Sequence, residues 1–263
     1  MSPDIRRLAG RTALVTGSTG GLGVAIASAL AADGAFVVVS GRDKARGDAA
    51  VADIRSAGGT AEFVVADLGE GEHEVRRLAE QATAVAGGRI DILVNNAAML
   101  LMPTPTAEIS EELLRDAFAV NVFAPFLLTG ALAPAMVERG DGAIVNIGSI
   151  TGLRGGDGSA IYSANKAAIH SFTQSWAAEY GAVRRAGERR RAGTHRDRTP
   201  GTVRRSRRSG AGPYPIAADE HTGRGGGGGG ISGQRRRGQH SRRCVERGRG
   251  LGGHLTHGLD FVA

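Results

Sequence analysis

The stretch Thr12-Ala13-Leu14-Val15-Thr16-Gly17-Ser18-Thr19-Gly20-Gly21-Leu22-Gly23 decides the fold. Its first five residues form a short apolar run, the pattern of a strand buried on both faces. The glycine-rich segment that follows leads into an alanine-rich helix from about Val24 to Ala32. A further apolar run at Phe36–Val39 completes a strand–helix–strand unit. In such a unit the glycines let backbone N–H groups approach a pyrophosphate at the helix N-terminus. Glycines alone carry little weight, but strands on both sides of the helix supply the context that the motif needs.

The second strand ends in Ser40-Gly41-Arg42, with Asp43 one step further. An acidic residue here binds a ribose 2′-hydroxyl, whereas an arginine accommodates a 2′-phosphate. Arg42 is the better placed of the two, so NADP(H) is expected; the alternative gives the ribose to Asp43 and the preference to NAD. A helix fits Ala45–Ala57 and a third strand Glu62–Val65, followed by Ala66-Asp67-Leu68. Asp67 falls just past a strand end, where open parallel sheets bind ligands. Its spacing fits equally a cap for a helix over Glu70–Ala86. The fourth strand, Ile90–Val94, runs into Asn95-Asn96-Ala97-Ala98, whose amides can tie neighbouring loops together. A long helix beginning near Ser110 carries Asn121 in an apolar setting, where a buried amide must find partners.

The last readable segment is a strand, Ala143-Ile144-Val145-Asn146-Ile147, ending at Gly148-Ser149, and then a helix opening with Tyr162-Ser163-Ala164-Asn165-Lys166. Residues four apart share a helix face, so the Tyr162 phenol and the Lys166 ammonium point into one space. A cation beside a phenol favours the phenolate and lowers its pKa from about 10. Ser149 adds a hydroxyl at the strand mouth. A proton donor, a tuning cation and a second hydrogen bond suit redox chemistry at a carbonyl or alcohol.

Together these residues resemble the short-chain dehydrogenase/reductase family, over Arg11 to Tyr180 and in the family's order. Thr16-Gly17-x-x-x-Gly21-x-Gly23 is similar to its cofactor loop. Asn95-Asn96-Ala97 is similar to its Asn-Asn-Ala-Gly motif, with alanine in place of the glycine. The resemblance implies a doubly wound parallel α/β sheet of Rossmann type, strand order 3-2-1-4-5. It implies a catalytic tetrad of Asn121, Ser149, Tyr162 and Lys166: Tyr162 exchanges a proton with the substrate oxygen, and Ser149 hydrogen-bonds that oxygen. Lys166 binds the nicotinamide ribose and lowers the Tyr162 pKa, while Asn121 holds a proton-relaying water. Thr16, Gly17, Ser18, Gly21, Leu22, Gly23, Arg42, Asp67, Leu68, Asn95 and Ala97 join Tyr162 and Lys166 as cofactor contacts, with Asp67 and Leu68 flanking the adenine. The expected reaction is NADP(H)-dependent reduction of a ketone, or oxidation of a secondary alcohol, with a 3-oxoacyl thioester among several candidate substrates. Members are usually homodimers or homotetramers.

The net charge of +7 divides unevenly. Residues 1–180 hold 14 of the 33 basic and 20 of the 26 acidic side chains, a balance of −6. Residues 181–263 hold 19 arginines, no lysine and 6 acidic residues, a balance of +13. The expected division is therefore a catalytic domain over 1–180 and an aberrant, disordered Arg/Gly-rich tail over 181–263, without the family's sixth and seventh strands. Arginine-rich tails make salt-dependent phosphate contacts, but Tyr214 and Phe261 are its only stacking residues, so nucleic-acid binding is not expected. An inactive remnant of the fold is a third reading.

A shift of reading frame accounts for this tail better. Val183 to His195 can be encoded so that reading one nucleotide later gives Ser-Gly-Val-Arg-Val-Asn-Ala-Val-Ala-Pro-Gly-Pro, which resembles the family's missing strand and Pro-Gly. The same shift turns Gln239 to Gly250 into Asn-Thr-Val-Val-Gly-Ala-Ser-Ser-Val-Asp-Gly-Gly, which resembles its last strand. Residues from about Gly181 onward thus read as a frameshifted translation. The strand after Gly142 is then expected to lose its neighbour and become an exposed edge. One cysteine, Cys244, excludes an internal disulfide and fits a reducing cytoplasm. No apolar run long enough to cross a bilayer is read in the sequence, and no metal site is expected.

Overall fold

The structure, a computed structural model, describes residues 6–193 and 259–262, with side chains over 6–181. Five parallel strands, β1 (Thr12–Val15), β2 (Phe36–Gly41), β3 (Thr60–Val65), β4 (Ile92–Asn95) and β5 (Gly142–Asn146), lie in the order β3-β2-β1-β4-β5. The helices are α1 (Gly21–Ala32), α2 (Lys44–Ser56), α3 (Glu72–Val85), α4 (Glu111–Phe118), α5 (Ala124–Arg139) and α6 (Ala160–Gly193).

Alternation along each strand builds a core on either face of the sheet. Leu14, Val38, Val64, Leu93 and Ile144 pack with α3 and α5 through Val75, Leu78, Leu128 and Met136. Ala13, Val15, Val37, Val39 and Val94 pack on the other face with Ala27, Ala31, Val51 and Ile54 of α1 and α2. The small side chains of α1 set it close to the strands, and that closeness shapes the loop before it.

β1 pairs with β2 on one side and with β4 on the other. The chain order reverses there, so the loops after β1 and β4 diverge and leave a crevice at the C-terminal ends of the strands. Every residue singled out from the sequence for a ligand, a proton or a hydride lies at this end or on a helix facing it.

Three expectations change. A sixth strand is present: β6 (Leu259–Val262) pairs parallel to β5, Gly142 with Leu259 through Val145 with Val262, so β5 is not left as an open edge. It comes from the end of the chain, not from the residues after Tyr180. Those residues continue α6 to Gly193, so the helix runs through the boundary set at 180/181. The remainder of the tail, with its expected disorder, lies outside the described residues. Finally, the segment Glu111–Arg139 is long and apolar enough to cross a membrane, with a mean hydropathy of 1.7 over its best window. Half of that window is buried in the fold, as befits a core helix.

Candidate active site

Thr16 and Asn96 lock the glycine loop to the end of β4. The Thr16 hydroxyl donates to the Val94 carbonyl at 3.2 Å and accepts from the N–H groups of Asn96 at 3.1 Å and Ala97 at 3.0 Å. The Asn96 amide returns two bonds, to the carbonyls of Thr16 at 2.9 Å and Gly17 at 3.1 Å. Ser18 holds the other side: its hydroxyl donates to Val15 O at 2.6 Å and accepts from Ser40 N–H at 3.0 Å.

This closeness explains two of the glycines. Gly17 has φ +62°, and a Cβ there would lie 2.7 Å from Ala97 Cα. At Gly23 a Cβ would fall 2.2 Å from Gly17 O. α1 then opens at Gly20 with no side-chain cap, unlike α2, capped by Asp43, and α4, capped by Ser110. Its first N–H groups, beside exposed Gly21 and Leu22, are therefore available to an anion. A close-packed glycine cradle in front of an uncapped helix fits a dinucleotide pyrophosphate.

Asp43 accepts from Arg46 N–H at 3.0 Å as the cap of α2, which gives one oxygen of the rival ribose ligand a structural task. Arg42 is 76% exposed and stands 3.7 Å from the Asp67 carboxylate, so a cation and an anion share the rim of β2 and β3. Asp67 also accepts from Gly69 N–H at 2.9 Å, capping a single 3-10 turn over Leu68–Glu70 and not α3, which starts after Gly71 without a side-chain cap. Leu68, expected beside the adenine, buries its side chain in the core, leaving only its backbone for a ligand. Asn95, also expected at the cofactor, is 5% exposed and donates to Asn146 Oδ1 at 2.8 Å. Asn146 donates in turn to the Thr173 hydroxyl at 3.0 Å. That amide relay stitches β4, β5 and α6 together beneath the site, and it makes Asn95 a structural group.

Between α4 and α5 the helix widens into a π turn, Ala119–Phe123, in which Ala124 N–H bonds back to Ala119 O. Such turns gather at functional sites. Asn121 sits in this turn, 3% exposed, accepting from Met99 N–H at 2.7 Å and donating to Met99 O at 3.1 Å. It thereby fixes the start of the loop after β4.

α6 buries Asn165, Lys166, Ile169, Thr173 and Trp176, a stripe at helical spacing. Lys166 is drawn to the inward face, 5% exposed, where its ammonium donates to Ile147 O at 2.6 Å and lies 5.8 Å from the Tyr162 ring centroid. Burial pushes its pKa below the ordinary 10.5. Tyr162, one turn earlier, is half-buried and reaches an open cleft. Ser149 shares a 2.8 Å hydrogen bond with the Thr151 hydroxyl and accepts from Thr151 N–H at 3.2 Å.

Three residues that the sequence reading passed over join this group. Thr151 holds the Ser149 hydroxyl, Asn146 anchors Asn95, and His170 places Nε2 3.0 Å from the Ser149 carbonyl. The His170 ring also presses on the loop: a Cβ at Gly148 would fall 2.5 Å from its Cε1. The signal for His170 was present, since it stands four residues after Lys166 on one helix face.

Comparisons with known proteins point to one family. A family model described as short chain dehydrogenase matches residues 11–184. The human protein called dehydrogenase/reductase SDR family member 4 is 40% identical over 172 residues, covering 65% of this chain and 61% of its own length. Two solved structures with NADP are similar. One is a metagenomic short-chain oxidoreductase, 36% identical with a TM-score of 0.64, covering 67% of this chain and 79% of its own. The other is a 3-oxoacyl (acyl-carrier-protein) reductase from Agrobacterium tumefaciens C58, 37% identical with a TM-score of 0.64, covering 68% of each chain.

Proposed function

The chain belongs to the short-chain dehydrogenase family, and from that premise we propose that it is an NADP(H)-dependent oxidoreductase that reduces a ketone or oxidises a secondary alcohol. The single observation that carries this reading is the pairing on α6: a buried ammonium, Lys166, 5.8 Å from the centre of the ring of Tyr162, a tyrosine that lines an open cleft. When bound, the nicotinamide supplies or accepts the hydride.

The protein's own groups handle the proton and the oxygen. In reduction, Tyr162 gives its phenolic proton to the substrate oxygen and is left as a phenolate; in oxidation it takes the proton back. The positive charge of Lys166 stabilises that phenolate. The Ser149 hydroxyl, held by Thr151, turns to donate a hydrogen bond to the same oxygen. Asn121 acts by holding the backbone of Met99, and the π turn around it is where a relaying water would sit. Thr16, Gly17, Ser18, Gly21, Leu22, Gly23, Asp67 and the Ala97 backbone form the cofactor's bed, with the pyrophosphate on α1.

Arg42 favours NADP(H), because Asp43 is engaged as a helix cap and two similar structures hold NADP. A 3-oxoacyl thioester remains within the candidate substrates by similarity to the Agrobacterium reductase. We place the protein in a reducing, cytoplasmic setting as a homo-oligomer. Exposed Phe123 and Phe126 on the helix carrying Asn121 support self-association, which light scattering after size-exclusion chromatography tests.

The deciding experiment follows NADPH oxidation at 340 nm with a ketone panel. Tyr162→Phe is expected to lower kcat about 100-fold or more at unchanged NADPH affinity. Arg42→Ala is expected to weaken NADPH binding by roughly 10- to 100-fold and leave NADH binding alone. Full activity in Tyr162→Phe, or a preference for NADH in the parent chain, overturns the reading.

A further inference from the structure

The cleft that Tyr162 reaches has a volume of about 620 Å³, within the range of small-molecule sites. Its walls come from three segments: the loop after β4, the start of α4, and the approach to α6. Met99, Leu100, Met102, Ile109, Leu114 and Ile161 line it. Leu100 and Met102 are 81% and 82% exposed, an unusual amount of open apolar surface beside a reacting hydroxyl.

Most of the polar groups around it are occupied, the exposed Thr106 hydroxyl being an exception among the described lining residues. Glu111, the charged side chain among the described lining residues, is paired with Arg115 at 2.5 Å. Thr104 donates its hydroxyl to Met102 O at 3.0 Å, and Ser159 donates to Gly156 O at 2.8 Å. Ser110 accepts from Leu113 N–H at 3.1 Å as the cap of α4. Few hydroxyls remain to recognise a polyol, and no unpaired cation stands among the described lining residues to hold a carboxylate or phosphate. The two lips are also fixed to each other, by Thr104 N–H donating to Gly158 O at 2.7 Å. Gly158, at φ +63°, permits an approach in which a Cβ would come 3.0 Å from that nitrogen. The wall is therefore built before a ligand arrives.

We propose that this cleft selects an uncharged, mainly apolar ketone or secondary alcohol, cyclic or of medium chain length. The hydrocarbon body lies on Met99, Leu100, Met102 and Leu114, and the oxygen points to Tyr162. This deepens the reductase reading and rests on it for the identity of the bound molecule as substrate. Sugars, keto acids and phosphorylated ketones are disfavoured by the same surface, since each would lose hydration and gain few partners.

Saturation-transfer NMR on the full chain without cofactor tests this apart from turnover, using 2-octanone and dihydroxyacetone as probes. Expected is strong saturation of the 2-octanone alkyl protons and little of dihydroxyacetone. Met102→Asp, at a position exposed enough to leave folding intact, is expected to weaken 2-octanone binding at least 10-fold, with Met102→Leu restoring it. A thermal melt confirms that both variants are folded. Equal saturation of the two probes, or 2-octanone binding untouched by Met102→Asp, overturns the proposal. Binding of 2-octanone with no NADPH oxidation supports the cleft's preference and overturns the reductase reading instead.

Discussion

Replacing Thr16 by valine keeps the shape of the side chain and removes one oxygen, so its effect follows directly from three hydrogen bonds. Thr16 is 2% exposed, so its hydroxyl has protein partners in place of water. Two of the three partners have a second bond: Asn96 N–H also donates to Val94 O at 3.1 Å, and Val94 O also accepts from Thr16 N–H at 3.0 Å. Ala97 N–H is the partner whose bond, at 3.0 Å, is simply lost. An orphaned buried donor costs about 1–3 kcal/mol; Ala97 is only partly buried, so Thr16→Val is expected to lower stability by roughly 1–2 kcal/mol. Thr16→Ser keeps all three bonds and removes one buried methyl, for a loss of about 1 kcal/mol. The variants separate more sharply in cofactor binding. If the loss of the lock falls on the loop, Thr16→Val weakens NADPH binding by up to about 30-fold, the equivalent of 2 kcal/mol, whereas Thr16→Ser leaves it unchanged. Urea unfolding and NADPH fluorescence titration measure the two effects. A Thr16→Val protein within about 0.5 kcal/mol of the parent, with the same NADPH affinity, refutes the assignment of Thr16 as the lock.

Other outcomes follow from single contacts. Gly23→Ala sets a methyl 2.2 Å from Gly17 O. It is expected to abolish NADPH binding and lower the melting point, whereas Gly130→Ala, with nothing within 4 Å, raises stability by up to about 1 kcal/mol. Lys166→Met is expected to end turnover and to change how stability varies with pH. Because burial lowers the Lys166 pKa below 10.5, the unfolded chain binds more protons between the two values. Stability of the parent relative to Lys166→Met therefore rises as pH climbs through that window toward 10.5, and a flat or falling difference counts against a buried ammonium. Resequencing the gene tests the frameshift reading of residues from about Gly181. The family match stops at residue 184, and the expected DNA yields the strand and Pro-Gly segment when read one nucleotide later.

Much of this was legible because strand, glycine loop and helix recur in a fixed order, and burial on both faces makes the strands continuous apolar runs. The glycine loop, Arg42, Ser149, Tyr162 and Lys166 were singled out from motif and element order, and the structure sets them at the strand ends or on α6. Asn95 and Asn96 could not be told apart, because their roles depend on pleat: one faces inward to Asn146, the other turns back to Gly17. Leu68 was placed by analogy of position, and the core took its side chain. β6 has four residues, too few for a periodic signal. Its pairing joins residues far apart in sequence. The π turn has no sequence signature, since it reports how two helical segments must face their neighbours.

That last point has a mechanical side. A π turn is a one-residue phase shift: each residue of an α-helix turns the chain by about 100°, and the extra residue rotates one half of the rod against the other. α5 can then keep Leu128, Leu132 and Met136 on the sheet while Asn121 faces Met99. Deleting one residue from Ala119–Phe123 would restore a regular helix and swing Asn121 and all of α4 away from the loop after β4. The cleft wall at Ile109 and Leu114 would turn with it. The placement of Asn121 and the shape of the cleft are thus geared to a single step of helical phase.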